Sequence, residues 1–131
     1  AMLPDLAFTI EREQLIRFCG AADDYGNLHW DDLYMQRQGF GGVIVHGWLS
    51  CSVLMRVATD WEPLAGATFG DFTVRYLRPN YPGPALYRGR VKGGGQNDAG
   101  RTVDLELWAE DSEGRRLADI AVRATLPSSN G

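Results

Sequence analysis

Between Trp48 and Trp61 the apolar residues Leu49, Val53, Leu54, Val57, Ala58 and Trp61 recur at helical spacing. The small residues Ser50, Cys51 and Ser52 stand among them, so two faces of this helix are open to close packing. A helix that apolar most of the way round belongs in a core, and the rest of the chain has to supply that core's other layer. Pro63 and Gly66 end the helix. Every strong pattern after it is β. Residues 69–77 alternate, with Phe72, Val74 and Tyr76 sharing one side. Residues 79–84 form a turn-rich break, 86–91 the next strand, and 93–100 a flexible glycine-rich connection. Residues 102–108 alternate on Val103, Leu105 and Leu107, and 111–114 make a hairpin turn. Residues 117–126 set Ile120, Val122, Ala124 and Leu126 on one side, and 127–131 read as a frayed tail.

Ahead of the long helix, residues 6–10 are extended. Thr9 is placed to cap a helix whose first turn carries Glu11 and Glu13, and Leu15, Ile16, Phe18, Cys19 and Ala22 give it an apolar face. Residues 23–27 stop it. The acids Asp23 and Asp24 fall at the helix C-terminus, where the helix dipole disfavours negative charge. A short helix follows over 33–38, with Asp31 or Asp32 as its cap and Gly39 at its end. The element order is strand, two helices, one buried helix, then four antiparallel strands in a meander. This is an α+β chain whose sheet wraps the central helix. The edges of such a sheet stay open, and pairing through an edge strand would close them in a dimer.

The 131 residues fit one domain large enough to bury a core. The net charge is −4 and Lys92 is the only lysine, with no basic block, which argues against a nucleic-acid partner. Cys19 and Cys51 lie in apolar helical contexts and read as buried thiols. No apolar run is long enough to span a bilayer. The opening Ala1-Met2-Leu3-Pro4 lacks the features of a signal peptide and reads as a start preceded by one extra residue, so a cytoplasmic protein is expected.

The residues with chemistry to offer concentrate between 24 and 48. Asp24 and His29 flank a turn, the glycine-rich run Gly39-Phe40-Gly41-Gly42 leads into Val43-Ile44-Val45, and His46-Gly47 opens the buried helix. An acid, an imidazole and a glycine at a helix start can make an acid/base pair facing an oxyanion site. Each also has a plainer reading. Asp24 can be a solvated loop acid, His29 and His46 structural residues, Gly41-Gly42 a turn, and Trp48 and Trp61 core or interface aromatics. Arg75, Arg78, Arg88 and Arg90 fall on or near strands, where they can meet phosphates or simply solubilise the surface.

The run FTIEREQLIRFCGAADD, then LHWDD, GFGGVIVHGWLS, VATDW and FTVRYLRPNYPG, spanning nearly the whole chain, resembles the MaoC-like (R)-specific enoyl-thioester hydratases and dehydratases. That resemblance implies a hot-dog fold over 1–131 and a reversible syn hydration of a 2-enoyl thioester to an (R)-3-hydroxyacyl thioester. It implies Asp24 and His29 as the catalytic pair and the Gly47 N–H as oxyanion donor, with Asn27, Gly42, Val45 and His46 positioning substrate. It implies no metal or redox cofactor, a thioester on coenzyme A or an acyl-carrier protein, and a homodimer or pairing with a second hot-dog chain. The family signature is Gly-Asp, any residue, Asn-Pro, an aliphatic residue, then His. Here Asp23 replaces its glycine, Gly26 its asparagine and Asn27 its proline. A hot-dog thioesterase and a catalytically impaired subunit of a hetero-oligomeric hydratase stay open as alternatives.

Overall fold

The computed structural model describes residues 2–23 and 25–127. The elements run β1 (Leu6–Ile10), α1 (Arg12–Ala22), a 3₁₀ turn (Asn27–His29), α2 (Asp32–Arg37), α3 (Gly47–Thr59), a second 3₁₀ turn (Glu62–Leu64), β2 (Thr68–Tyr76), β3 (Gly83–Asn97), β4 (Gly100–Glu110) and β5 (Arg116–Pro127). The five strands form one antiparallel sheet in the order β1-β3-β4-β5-β2. With α3 packed on β3 and β4, this is the α+β hot-dog arrangement.

Only β3, β4 and β5 form a meander. β2 does not lie beside β3, as an unbroken meander would require. It crosses to β5 and pairs Val74 with Ile120 and Tyr76 with Ala118, so β1 and β2 are the two edges. Strand β3 also runs through the glycine triplet read from sequence as a connection: Gly93, Gly94 and Gly95 pair with Asp104, Val103 and Thr102. Glycine's weak strand preference is overridden there by close approach, since a Cβ on Gly94 would lie 2.5 Å from the Thr102 carbonyl oxygen. The hairpin turn shrinks to Asp98-Ala99, with the Asn97 side chain accepting from the N–H groups of Ala99 and Gly100. Pro127 closes β5 rather than opening a tail, and 128–131 lie outside the described residues.

α3 supplies Leu54, Val57 and Ala58 to a core completed by Leu105, Leu107 and Ile120 from the sheet and by Leu15, Val43 and Val45 from the N-terminal half. Gly89 makes the close contact possible, because a Cβ there would stand 2.7 Å from Leu107 Cδ2 and 3.1 Å from Val57 Cγ1. The helix is not buried all round. Trp48 is 76% exposed and belongs to no core.

α1 is capped by Glu11, not Thr9. The Glu11 side chain accepts from the N–H of Gln14, and the Gln14 side chain accepts from the N–H of Glu11. The acid-amide pair satisfies two helix-start donors where Thr9, still in β1, satisfies none. Leu15 and Cys19 form the buried face of α1, while Ile16 points to solvent. The helix ends at Ala22 with Asp23 left-handed (φ 52°). Asp31 caps α2 through the Tyr34 N–H, and Gly39 follows its end at φ 90°. Among the described residues no helix is long and apolar enough to cross a membrane.

Candidate active site

His29 closes the first 3₁₀ turn and is 7% exposed. Its segment is held by local bonds: Trp30 Nε1 donates to the Tyr25 carbonyl at 2.7 Å, and the Ile44 N–H donates to the Leu28 carbonyl at 2.9 Å. His29 Nδ1 then lies 2.9 Å from the Ile44 carbonyl oxygen. A carbonyl only accepts, so Nδ1 carries the proton and Nε2 is the basic nitrogen of the neutral ring. Two bonds to the same residue fix both the height and the tautomer of this imidazole.

His46, the residue preceding α3, is 1% exposed and stacks behind His29, with ring centroids 3.6 Å apart and planes 20° from parallel. Phe18 packs on it at 4.6 Å, and Cys19 Sγ lies 3.6 Å from its Nε2. His29 therefore rests on a layer contributed by α1 and by the entry to α3. Cys19 and Cys51 are both buried, and no disulfide joins them.

Gly47 is the first residue of α3, where an N–H has no acceptor within the helix and the positive end of the dipole lies. His29, Val45 and Gly47 line one crevice of about 500 Å³ together with Leu28, Phe40, Ile44, Ser50, Tyr76, Leu77, Arg78, Pro79, Asn80, Leu117 and Ala118. That size suits a small-molecule site. A second crevice of about 400 Å³ shares Arg78, Pro79, Asn80 and Leu117 with the first and runs on to Asp111 and Arg115.

The other residues singled out from sequence are placed differently. Asp24 lies outside the described residues. Asn27 is exposed, opens the 3₁₀ turn and spends its carbonyl on the N–H of Asp31; it does not line the crevice. Gly42 is also outside the lining. A Cβ there would touch Asp32 Oδ1 at 3.0 Å, the same atom that accepts from the Val43 N–H. That bond, and then Arg12 beside it, hold the Asp32 carboxyl below its ordinary range. Three of the four strand arginines are taken up by acids: Arg75 by Asp119, Arg88 by Asp5 and Glu110, and Arg90 by Glu106. Arg78 alone of these lines the crevice, with Nη1 on the Arg116 carbonyl.

Two crevice residues, Asn80 and Tyr76, carry no local signal in the sequence. Asn80 sends Nδ2 toward Ser50 Oγ at 3.4 Å, and its carbonyl takes the Val45 N–H at 2.6 Å. Tyr76, at the end of β2, lays its hydroxyl against Gly47 and 3.4 Å from Cys51 Sγ. Both reach the crevice only because β2 and the turn after it fold back over the start of α3.

An imidazole with a defined basic nitrogen, and a helix-start amide, thus share one mostly apolar crevice in a hot-dog domain. The MaoC like domain model matches residues 2–110, and the chain belongs to that MaoC-like dehydratase family. Solved structures agree in fold. The (R)-hydratase from A. caviae involved in PHA biosynthesis superposes with a TM-score of 0.84 at 17% identity, covering 97% of this chain and 95% of that one. A chain of the ChsH1-ChsH2 complex from Mycobacterium tuberculosis gives 0.81 at 20% identity, covering 96% and 95%. A chain of the HadBC (3R-hydroxyacyl-ACP dehydratase) complex from the same organism gives 0.83 at 12%, covering 96% and 95%. No curated protein sequence matches the chain.

Proposed function

We propose that this protein catalyses the reversible syn hydration of a trans-2-enoyl thioester, on coenzyme A or an acyl-carrier protein, to an (R)-3-hydroxyacyl thioester. The observation that carries this reading is that His29 and Gly47 face one crevice. In the forward direction a water oxygen bonds to the β-carbon while His29 Nε2, working with the Asp24 carboxylate, takes a water proton. The electron pair of the double bond moves toward the thioester, and charge builds on its oxygen. The Gly47 N–H, aided by the α3 dipole, stabilises that charge. The pair then returns a proton to the α-carbon on the same face. No metal or redox cofactor is needed for this balance. Val45 and His46 act here as the wall and the backing of the imidazole, and the second crevice offers room for an elongated carrier arm.

The test is crotonyl-CoA hydration, followed as loss of the conjugated enoyl absorbance, in the wild type and in Asp24→Asn and His29→Ala. Both variants are expected to lose turnover by at least about 100-fold while staying folded. Wild-type turnover in either would sink the assignment. Release of free thiol would favour hydrolysis instead. Gly26 and Asn27 at the altered signature support a further arm of the test. Activity that appears only on mixing with a second hot-dog chain would identify this one as an impaired subunit.

A further inference from the structure

Tyr76 is held at the end of β2 by pairing with Ala118, but core packing does not account for where its side chain ends. Its residue is 58% exposed in the protomer, so it is not a core aromatic. Yet its hydroxyl end is tucked inward. A Cβ built on Gly47 would lie 2.7 Å from Tyr76 Oη and 2.8 Å from Cζ, closer than real carbon contacts come. The phenol tip therefore occupies the space that a side chain at position 47 would take. In an α-helix the Cα–Cβ direction leans toward the N-terminus, the end toward which the first N–H groups also point. An acyl oxygen approaching the Gly47 N–H enters the neighbourhood of this hydroxyl.

We propose that the Tyr76 hydroxyl is a second hydrogen-bond donor to the thioester oxygen, paired with the Gly47 N–H. The inference rests on the hydratase reading above and names a residue of that same site. Two observations support it besides the position. The hydroxyl's partner in the structure is the Cys51 sulfur at 3.4 Å, a weak hydrogen-bonding group whose place an oxyanion readily takes. Desolvation of the hydroxyl end, then the contact with Cys51, push the Tyr76 pKa up to about 12, so the proton to be shared is present at every working pH. A neutral donor that stays in place through the reaction is the arrangement an oxyanion site requires.

The test compares wild type with Tyr76→Phe, which keeps the ring and removes only the oxygen, in two measurements. In crotonyl-CoA hydration, kcat is expected to fall by roughly 30- to 300-fold with KM changed by less than about threefold, the split expected when a donor acts in the transition state. In infrared difference spectra of bound butyryl-CoA, a saturated thioester that cannot react, the carbonyl band is expected to sit lower in wild type and to move back upward in the variant. An active enzyme whose kcat and carbonyl band are both unmoved by the substitution would overturn the role of Tyr76 and leave the hydratase reading standing. A wild-type chain that binds no acyl-CoA would overturn both.

Discussion

At Gly47 a single added carbon would lie 2.7 Å from Tyr76 Oη and 3.1 Å from its Cε1. Alanine is otherwise the better helix former, so the backbone has no objection to it. Gly47→Ala is therefore expected to leave the melting temperature within a few degrees of wild type, because the half-exposed phenol ring can swing outward. The same swing takes the hydroxyl off the crevice and puts a methyl where the acyl oxygen approaches. Hydration of crotonyl-CoA should fall by about 100-fold or more. Equal turnover in the two proteins would show that neither group acts on the carbonyl. Of the residues lining the crevice, His29 and Gly47 were legible because their types carry chemistry or mark a helix start, and Val45 came only from the family resemblance. Tyr76 was not legible. In sequence it is one more apolar position in an alternating strand, and its hydroxyl gains meaning only when β2 crosses the first turn of α3. His46 was read as a positioning residue. Its stacking on His29 depends on a loop geometry that spacing does not reveal.

Among elements, the contact that seats the central helix is α3 on β3 and β4. It is closest at Gly89, which faces Leu107 on one side and Val57 of the helix on the other. Filling that gap must push the helix off the sheet or force both neighbours out of their rotamers. Gly89→Val is expected to lower unfolding stability by roughly 1–3 kcal/mol, measured by denaturant titration. A neutral result would mean the helix rides higher than its contacts indicate. The elements themselves were legible to differing degrees. α3 and the alternating strands β4 and β5 followed from periodicity, because each buries one regular face. The glycine triplet in β3 defeated that logic, since glycine there is selected by proximity to the Thr102 carbonyl and not by strand preference. The cap of α1 moved from Thr9 to Glu11 for a similar reason. A reciprocal pair with Gln14 satisfies backbone groups at the helix start, while Thr9 lies two residues earlier within β1.

For the molecule as a whole, the sheet ends at β2 on one side, and that edge is apolar. Phe72, Val74 and Tyr76 are all exposed there, and Trp48 stands exposed at the start of α3. An unpaired edge with such side chains is a site for another strand. We propose that a second copy of the chain, or a second hot-dog chain, covers it. The expected outcome is a dimer by light scattering, and Phe72→Glu, which places a charge on that edge outside the crevice, should shift it toward monomer. A wild-type monomer at micromolar concentration would remove the second copy and leave a second hot-dog chain as the partner. The sequence implies an open sheet edge but presents the last four strands as a continuous meander. It cannot show which edge remains, because local turn signals say where a strand ends and not which partner it finds.

The strand order has a consequence during synthesis. β2 is the second strand to emerge, yet its neighbour within the sheet is β5, the fifth. Until Arg116–Pro127 has left the ribosome, the hydrogen-bonding groups of β2 have no partner on either flank. The register that joins Val74 to Ile120 must then be found across more than a third of the chain. Nascent chains of this kind fold slowly because most contacts are distant in sequence, and a premature encounter with another chain's β2 competes with the native pairing.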